Sequence, residues 1–397
     1  MSREAFEAVI VGGGIVGVSI AYHLARLGAG GVLLLERGKL GEGTTAQSSC
    51  IVRTHYSVPE NVALARAGLI ALRDLGAYLE DPEADSGFNR CGLMIVAAEG
   101  ARASAVRETQ AVQRRVGVDA REIDHGEARR LLPLAQFDDI ACIGWEPESG
   151  YADAYLTLGA FARNARRLGA TLREGVEVIG LDRDAHGRVT GVRTARESIA
   201  ADHVVSAQNI WSRELASWIG VDLPLACSRH AVFTLEAPVP YTRELPMLKD
   251  LASPSKLYMR GYGGRQLLVG DGNEGETLAG PETTQGDVPL DYVAALGEEV
   301  AHRLPAFAEA GLASSWTGVY DVTPDWNPVL GAVEGVPGLT LAYGFSGHGF
   351  KLSPIVGRLV AQSVLGLAPD FDLAPYALSR FARGRLLTGR YGAGAVS

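Results

Sequence analysis

The run Ala8-Val9-Ile10-Val11 passes directly into Gly12-Gly13-Gly14-Ile15-Val16-Gly17, which fits G-x-G-x-x-G. A second apolar run, Val32-Leu33-Leu34-Leu35, ends on Glu36. Between them an apolar stretch stops at Arg26-Leu27-Gly28, a glycine signal that closes a helix. Strand, helix and strand in this order make a β-α-β unit. Glu36 stands roughly 20 residues past the glycines, where such units carry an acid. Gly12 permits the tight turn, Gly14 lets a pyrophosphate approach the backbone, and Gly17 lets helix pack closely on strand. The amides opening the helix attract the pyrophosphate, and Glu36 can accept bonds from adenosine ribose hydroxyls. The hexapeptide alone is weak evidence, because glycine turns are common. With strand, helix and acid in place it predicts a dinucleotide site.

With 397 residues the chain can form two domains or one large one. Hydrophobic residues at 47% against 21% charged describe an ordinary globular protein. A net charge of −9 argues against a nucleic-acid partner. No apolar run approaches the roughly 18–20 residues of a membrane span. The first strand starts close to Met1, so no secretory or transit leader is expected. Cys50, Cys91, Cys142 and Cys227 lie far apart with no C-x-x-C pair, which argues against a metal site and suits the cytoplasm. Among 37 basic residues only Lys39, Lys249, Lys256 and Lys351 are lysine, so a lysine inside a motif stands out.

Leu40 to Ser49 is rich in glycine and hydroxyls, a loop suited to wrapping a cofactor. Helical spacing runs over 60–79, with further helices expected around 101–116, 126–132, 156–168 and 291–304. Strands are expected over 92–97, 203–207, 227–236 and 264–270, and a hairpin over 176–193. With no repeat and no linker, the pieces read as two domains threaded through each other.

A second signal lies late in the chain. Leu339 to Tyr343 is strand-like, and Gly344-Phe345-Ser346-Gly347-His348-Gly349-Phe350-Lys351 is a glycine-rich loop. Ser353 and Pro354 read as N-cap and first residue of a helix that Gly366 closes. A glycine loop feeding a helix gathers free amides that can stabilise negative charge; plain turn chemistry is the alternative.

The ordered set Val11–Gly17, Thr44–Arg53, Thr323-Pro324-Asp325 to Gly331, and Gly344–Lys351 resembles the D-amino-acid-oxidase-like (DAO) FAD enzymes. The resemblance is strongest to the branch with sarcosine oxidases, glycine oxidase and dimethylglycine dehydrogenase, and runs from residue 7 to about 368. It implies an α/β protein, α+β in its second part. A Rossmann-type FAD-binding domain (1–85, 145–225, 325–397) interleaves with a substrate domain (86–144, 226–324) built on a large mixed β-sheet. It also implies that Gly12, Gly14, Ile15, Val16, Gly17, Glu36, Arg37, Thr44 and Thr45 hold FAD. Ser48 and Ser49 would lie near pyrophosphate and flavin, and Val178 beside the adenine edge. Gly347, His348, Gly349, Phe350 and Lys351 would face the pyrimidine end of the isoalloxazine, where amides and a lysine stabilise the charge of the reduced ring.

Three departures matter. Gly318 stands where sulfur-tethered relatives carry cysteine, and the loop near 44–50 lacks a Trp-His pair, so non-covalent FAD is expected. Leu268 stands where oxidases place an oxygen-activating lysine, which leaves oxygen or another electron acceptor open. Asn209 replaces a turn glycine, and asparagine tolerates a left-handed backbone.

The expected reaction is oxidation of a small secondary amine or amino acid, sarcosine-like, N-methylated or cyclic, by hydride transfer to flavin N5. The imine then hydrolyses. Arg53 and Lys351, with Arg260 third, are candidate handles for a substrate carboxylate; a surface ion pair is the alternative for Arg53. Tyr320 either leans over the substrate or is a buried sheet tyrosine. His348 faces the flavin through backbone atoms or serves as a base. His55 and Tyr56 are pocket-lining candidates, and Trp211 and Trp326 read as core or domain contacts. The alternatives are a 2-hydroxy-acid dehydrogenase, which needs a base, and a flavin-carrying subunit that works with partner chains.

Overall fold

The computed structural model describes residues 4–237, 241, 244–273, 275–280 and 287–391. Two large sheets dominate it. The first has eight strands, with Ala5–Val11 in its middle flanked by Ser198–Ser206 and Val32–Glu36, all parallel. Thr171–Glu174 extends it beyond Val32–Glu36, and Leu339–Tyr343 beyond Ser198–Ser206. The middle strands read as continuous apolar runs because helices and loops cover both faces, leaving Ala8, Val9 and Ile10 fully buried. The expected hairpin is present as Val178–Arg183 and Val189–Thr194.

Close backbone approach explains two of the glycines. Gly12 has φ +111, and a Cβ there would lie 2.5 Å from the Ala207 carbonyl oxygen. A Cβ on Gly17 would lie 1.9 Å from the Gly12 carbonyl oxygen, so the helix Ile15–Arg26 sits on its strand only with glycine there. That helix stops as expected, with the Gly28 and Ala29 amides returning to the Ala25 and Leu24 carbonyls.

The second sheet has nine strands. Ala226–Glu236 pairs with the long Gly311–Val322 on one side and Gln266–Gly270 on the other. Tyr258–Tyr262, Met247–Asp250, Leu93–Ala97 and Cys142–Glu146 follow in order. All pairs are antiparallel except Met247–Asp250 with Leu93–Ala97, so the sheet is mixed. Its strands come from residues 93–146 and 226–322, between the stretches that build the first sheet. Cys142–Glu146 crosses the expected boundary at 144/145. The helix Leu290–Arg303 closes this core, and Arg303, buried, bonds Asp250 at 2.8 Å and Asp139 at 2.7 Å.

Two expectations are corrected. The late helix does not begin at Ser353-Pro354; it spans Gly349–Val364 with His348 at its N-cap, and Pro354 lies inside. Proline removes the amide that would bond the Phe350 carbonyl, and the Ser353 hydroxyl donates there instead at 2.8 Å. The stretch 60–79 is two helices, Pro59–Arg73 and Leu75–Leu79, broken at Asp74. There the Asp74 carboxylate accepts the Ala77 amide at 3.0 Å and caps the second helix. Among the described residues no helix is long and apolar enough to cross a membrane.

Candidate active site

The glycine fingerprint opens onto a cleft. Gly14, Ile15, Val16, Thr44, Thr45, Ser48 and Ser49 line one side. The Thr45 hydroxyl accepts the Ile15 amide at 3.1 Å, which ties the loop to the first turn of the helix. Glu36 is half-buried at the strand tip, and its two oxygens accept the Gly13 and Gly38 amides, each at 2.7 Å. Its carboxylate is thereby fixed beside the fingerprint. Asn209 adopts φ +51, so the turn survives the loss of glycine.

Gly347, Gly349 and Phe350 line the cleft from the other side. Their loop is held by Asp321, whose carboxylate accepts the Gly344 amide at 2.6 Å and the Ser346 amide at 3.2 Å. Sequence reasoning missed Asp321; an acid two residues before the Thr323-Pro324-Asp325 stretch was the available signal. Burial pushes its pKa up to about 6, against the pull of those amides. Gly347, at φ +81, leaves room for Tyr320: a Cβ there would meet the tyrosine ring at 2.5 Å. Tyr320 also stacks on His230 with ring centres 3.9 Å apart.

The cleft continues into a cavity of about 330 Å³, and Ser48, Ser49, Tyr320, Gly347 and Phe350 line both. Arg53, His348 and Lys351 face this cavity with Tyr320. Lys351, 5% exposed on the first turn of the final helix, lies over the Tyr56 ring at 5.9 Å. Burial, then the Arg53 charge, holds its pKa well below the ordinary lysine value. His348 is pushed far below ordinary histidine by burial, Lys351 and Arg53. Its buried Nε2 has no hydrogen-bond partner among the described residues.

Arg53 follows the short strand Ile51–Val52, donates to the His55 carbonyl and lies over the Tyr56 ring at 4.7 Å. Beneath it His55 is clamped, with Nε2 2.8 Å from the Tyr391 hydroxyl and Nδ1 3.3 Å from Glu146. Glu146 also accepts from the Thr54 and Ser149 hydroxyls and from Gln113. Burial pushes the Glu146 pKa up, but His55 and those donors outweigh it and hold it down at about 2.

The other candidates lie elsewhere. Arg260 does not line the cavity: its Nε donates to the Ser49 carbonyl at 3.0 Å and its guanidinium lies 4.2 Å from the Tyr151 ring centre. It braces the loop and is not placed to hold a carboxylate. Arg37 is exposed and stacks over Trp211 at 4.3 Å. Val178 is buried in the core beneath the first sheet. Trp326, read as a core or domain contact, is half-buried and lines the cavity with φ +59. Lys249, Lys256, Tyr258 and His230 line it too, though the sequence did not single them out as site residues.

The profile of the DAO family, described as FAD dependent oxidoreductase, matches residues 7–363. The chain belongs to this family of FAD-dependent oxidoreductases. It is 31% identical over 390 residues to 4-methylaminobutanoate oxidase (formaldehyde-forming) of Paenarthrobacter nicotinovorans, covering 95% of this chain and 46% of that protein. Mouse mitochondrial sarcosine dehydrogenase is 27% identical over 386 residues, covering 94% of this chain and 41% of the relative. The chain thus spans less than half the length of these two relatives. Among solved structures, L-proline dehydrogenase from P. horikoshii superimposes with a TM-score of 0.87 at 26% identity, covering 97% of this chain and 100% of that one.

The residues fit FAD, the cofactor of the family. Two helix N-termini, at Ile15 and Gly349, open on one cleft. The absent side chain of Gly14 leaves open space apart from Thr45 Oγ1 at 3.2 Å. Gly318 lines the same cleft with no side chain to offer a sulfur link.

Proposed function

We propose that this chain oxidises a small secondary amine or amino acid bearing a carboxylate, N-methylated or cyclic, to an imine that hydrolyses in water. The observation that carries the reading is Lys351: a buried lysine beside Arg53, with no carboxylate within ion-pair distance among the described residues. A substrate carboxylate arriving there would be bonded by two cations and would restore the lysine charge. The names of the relatives point the same way, two to N-methyl amino acids and one to a cyclic one.

FAD, bound without a covalent link by the fingerprint loop, Thr44–Ser49 and the Gly347–Lys351 turn, supplies the hydride acceptor. Arg53 and Lys351 orient the substrate by its carboxylate so that the carbon next to nitrogen meets the cofactor face. The same positive charges disfavour a protonated amine, the form that cannot lose hydride. A bound carboxylate would offset the Lys351 and Arg53 charges that, after burial, lower the His348 pKa, and the unpartnered His348 Nε2 then becomes a better acceptor for the proton. Tyr320 is fixed by Gly347 and His230 and shapes the wall.

Anaerobic mixing of the FAD-loaded protein with an amine panel tests this. Sarcosine-like compounds should bleach the flavin, and hydroxy acids should not. Bleaching by hydroxy acids alone would replace the amine reading with oxidation of a 2-hydroxy acid, for which the unpartnered His348 Nε2 is the base. Admission of air then separates oxygen from another acceptor.

A further inference from the structure

Lysine is scarce in this chain, yet three of its lysines meet in one cavity. Lys351 enters from the final helix, Lys249 from the strand Met247–Asp250 of the second sheet, and Lys256 from the turn before Tyr258–Tyr262. Lys249 is half-buried and directed at Gly272, where a Cβ would lie 2.1 Å from its Nζ. Glycine at 272 therefore makes the room that this ammonium occupies. Lys256 adopts φ +48, and its Cβ lies 3.2 Å from where a Gly272 Cβ would stand.

The charges in the cavity do not balance. Asp271 is its only lining acid among the described residues, and none of the three lysines lies within ion-pair distance of a carboxylate. Two other cations on the rim are already engaged: Arg102 donates to the Leu251 carbonyl, and Arg390 bonds Glu108 at 2.6 Å. Arg53 repels Lys249 as it repels Lys351, so the cations form one field. A single substrate carboxylate at Arg53 and Lys351 leaves Lys249 and Lys256 faced in the lining by Asp271, while Asp250, which also attracts Lys249, is already paired with Arg303. Burial, then the Arg53 charge, holds the Lys249 pKa down at about 7, as it lowers that of Lys351, and an anionic ligand between them would restore both charges.

We infer that the substrate carries a second acidic group, held by Lys249 with Lys256, so that the chain acts on an amino dicarboxylate. This rests on the reading of the cavity as an amine pocket with one carboxylate handle at Arg53 and Lys351.

The test uses the FAD-loaded protein and the shift of its flavin spectrum on titration with unreactive acids. Malonate, succinate and glutarate are compared with acetate, propionate and butyrate. At least one dicarboxylate should bind about tenfold or more tightly than every monocarboxylate. Lys249→Met should collapse that ratio towards unity, and Lys249→Arg should retain most of it. Binding of monocarboxylates with no preference for dicarboxylates sinks the second subsite and leaves the amine reading standing. A preference that survives Lys249→Met also overturns it. If neither class of acid perturbs the flavin, the carboxylate handle fails, and the second subsite with it. The wild-type comparison needs no variant to fold.

Discussion

The Asp321 carboxylate accepts the Gly344 amide at 2.6 Å, so one buried acid from the second sheet pins the turn that opens the glycine-rich loop Gly344–Lys351. Burial raises its pKa to about 6 from the ordinary 3.8. An acid that holds its proton more tightly when folded contributes stability that is full below the unfolded pKa. That contribution is lost as pH rises through the folded value. From about pH 4 to pH 7 this group alone should lower the unfolding free energy by roughly 2–3 kcal/mol. Asn at 321 cannot titrate, so the gap between wild type and Asp321→Asn in urea unfolding should change by that amount over the window. A gap that stays flat with pH would contradict the assignment.

Gly17→Ala should abolish FAD retention. Its Cβ would stand 1.9 Å from the Gly12 carbonyl oxygen, and neither backbone can withdraw without reshaping the fingerprint turn. Gly169→Ala is the control, because nothing lies within 4 Å there and only the φ of +95 is strained. That strain costs about 1 kcal/mol. The absorbance of bound flavin per protein should vanish in the first variant and persist in the second.

Much of the first sheet was legible because its signals are contiguous. A glycine that must admit a neighbouring backbone, and an acid at a strand tip, act over a few residues. The strands Met247–Asp250 and Cys142–Glu146 were not read from the sequence, since their pairing partners lie far away and Met-Leu-Lys-Asp has no alternation to betray it. Ser353-Pro354 misled for the opposite reason: its local signal is strong, but tertiary packing starts the helix five residues earlier and the serine covers the missing amide. Arg260 looked like a carboxylate handle because charge can be read from a sequence and direction cannot. Its guanidinium turns under Tyr151 to brace Ser49. Lys249 was visible only as a scarce residue type, until folding placed it in the lining of the same cavity as Lys351.

Glu146 should matter to Arg53 without touching substrate. It holds His55, whose carbonyl receives the Arg53 guanidinium. Its pKa is depressed to about 2, so its contribution is present above the unfolded value near 4.5 and is lost as pH falls towards 2. Glu146→Gln should destabilise the protein by about 2–3 kcal/mol at neutral pH, because a buried network loses its charge. KM for the amine should rise with little change in bound FAD. An unaltered KM in a destabilised protein would restrict Glu146 to the fold.

Lys351→Met gives the sharpest reading of the substrate pocket. The lysine is 5% exposed, so methionine fills much the same space while removing the charge. Loss of one charge-assisted bond to a carboxylate should cost about tenfold to a hundredfold in kcat/KM, with KM taking most of it. A second effect follows from geometry. Burial is the main force holding the His348 pKa down, and the charges of Lys351 and Arg53 add to it. Removing Lys351 should therefore move the His348 ionisation upward, and the acid limb of the kcat/KM profile should shift to higher pH. A larger KM with an unshifted profile would keep Lys351 as a carboxylate handle and remove His348 from proton transfer. Unchanged kinetics on both counts would take Lys351 out of the site.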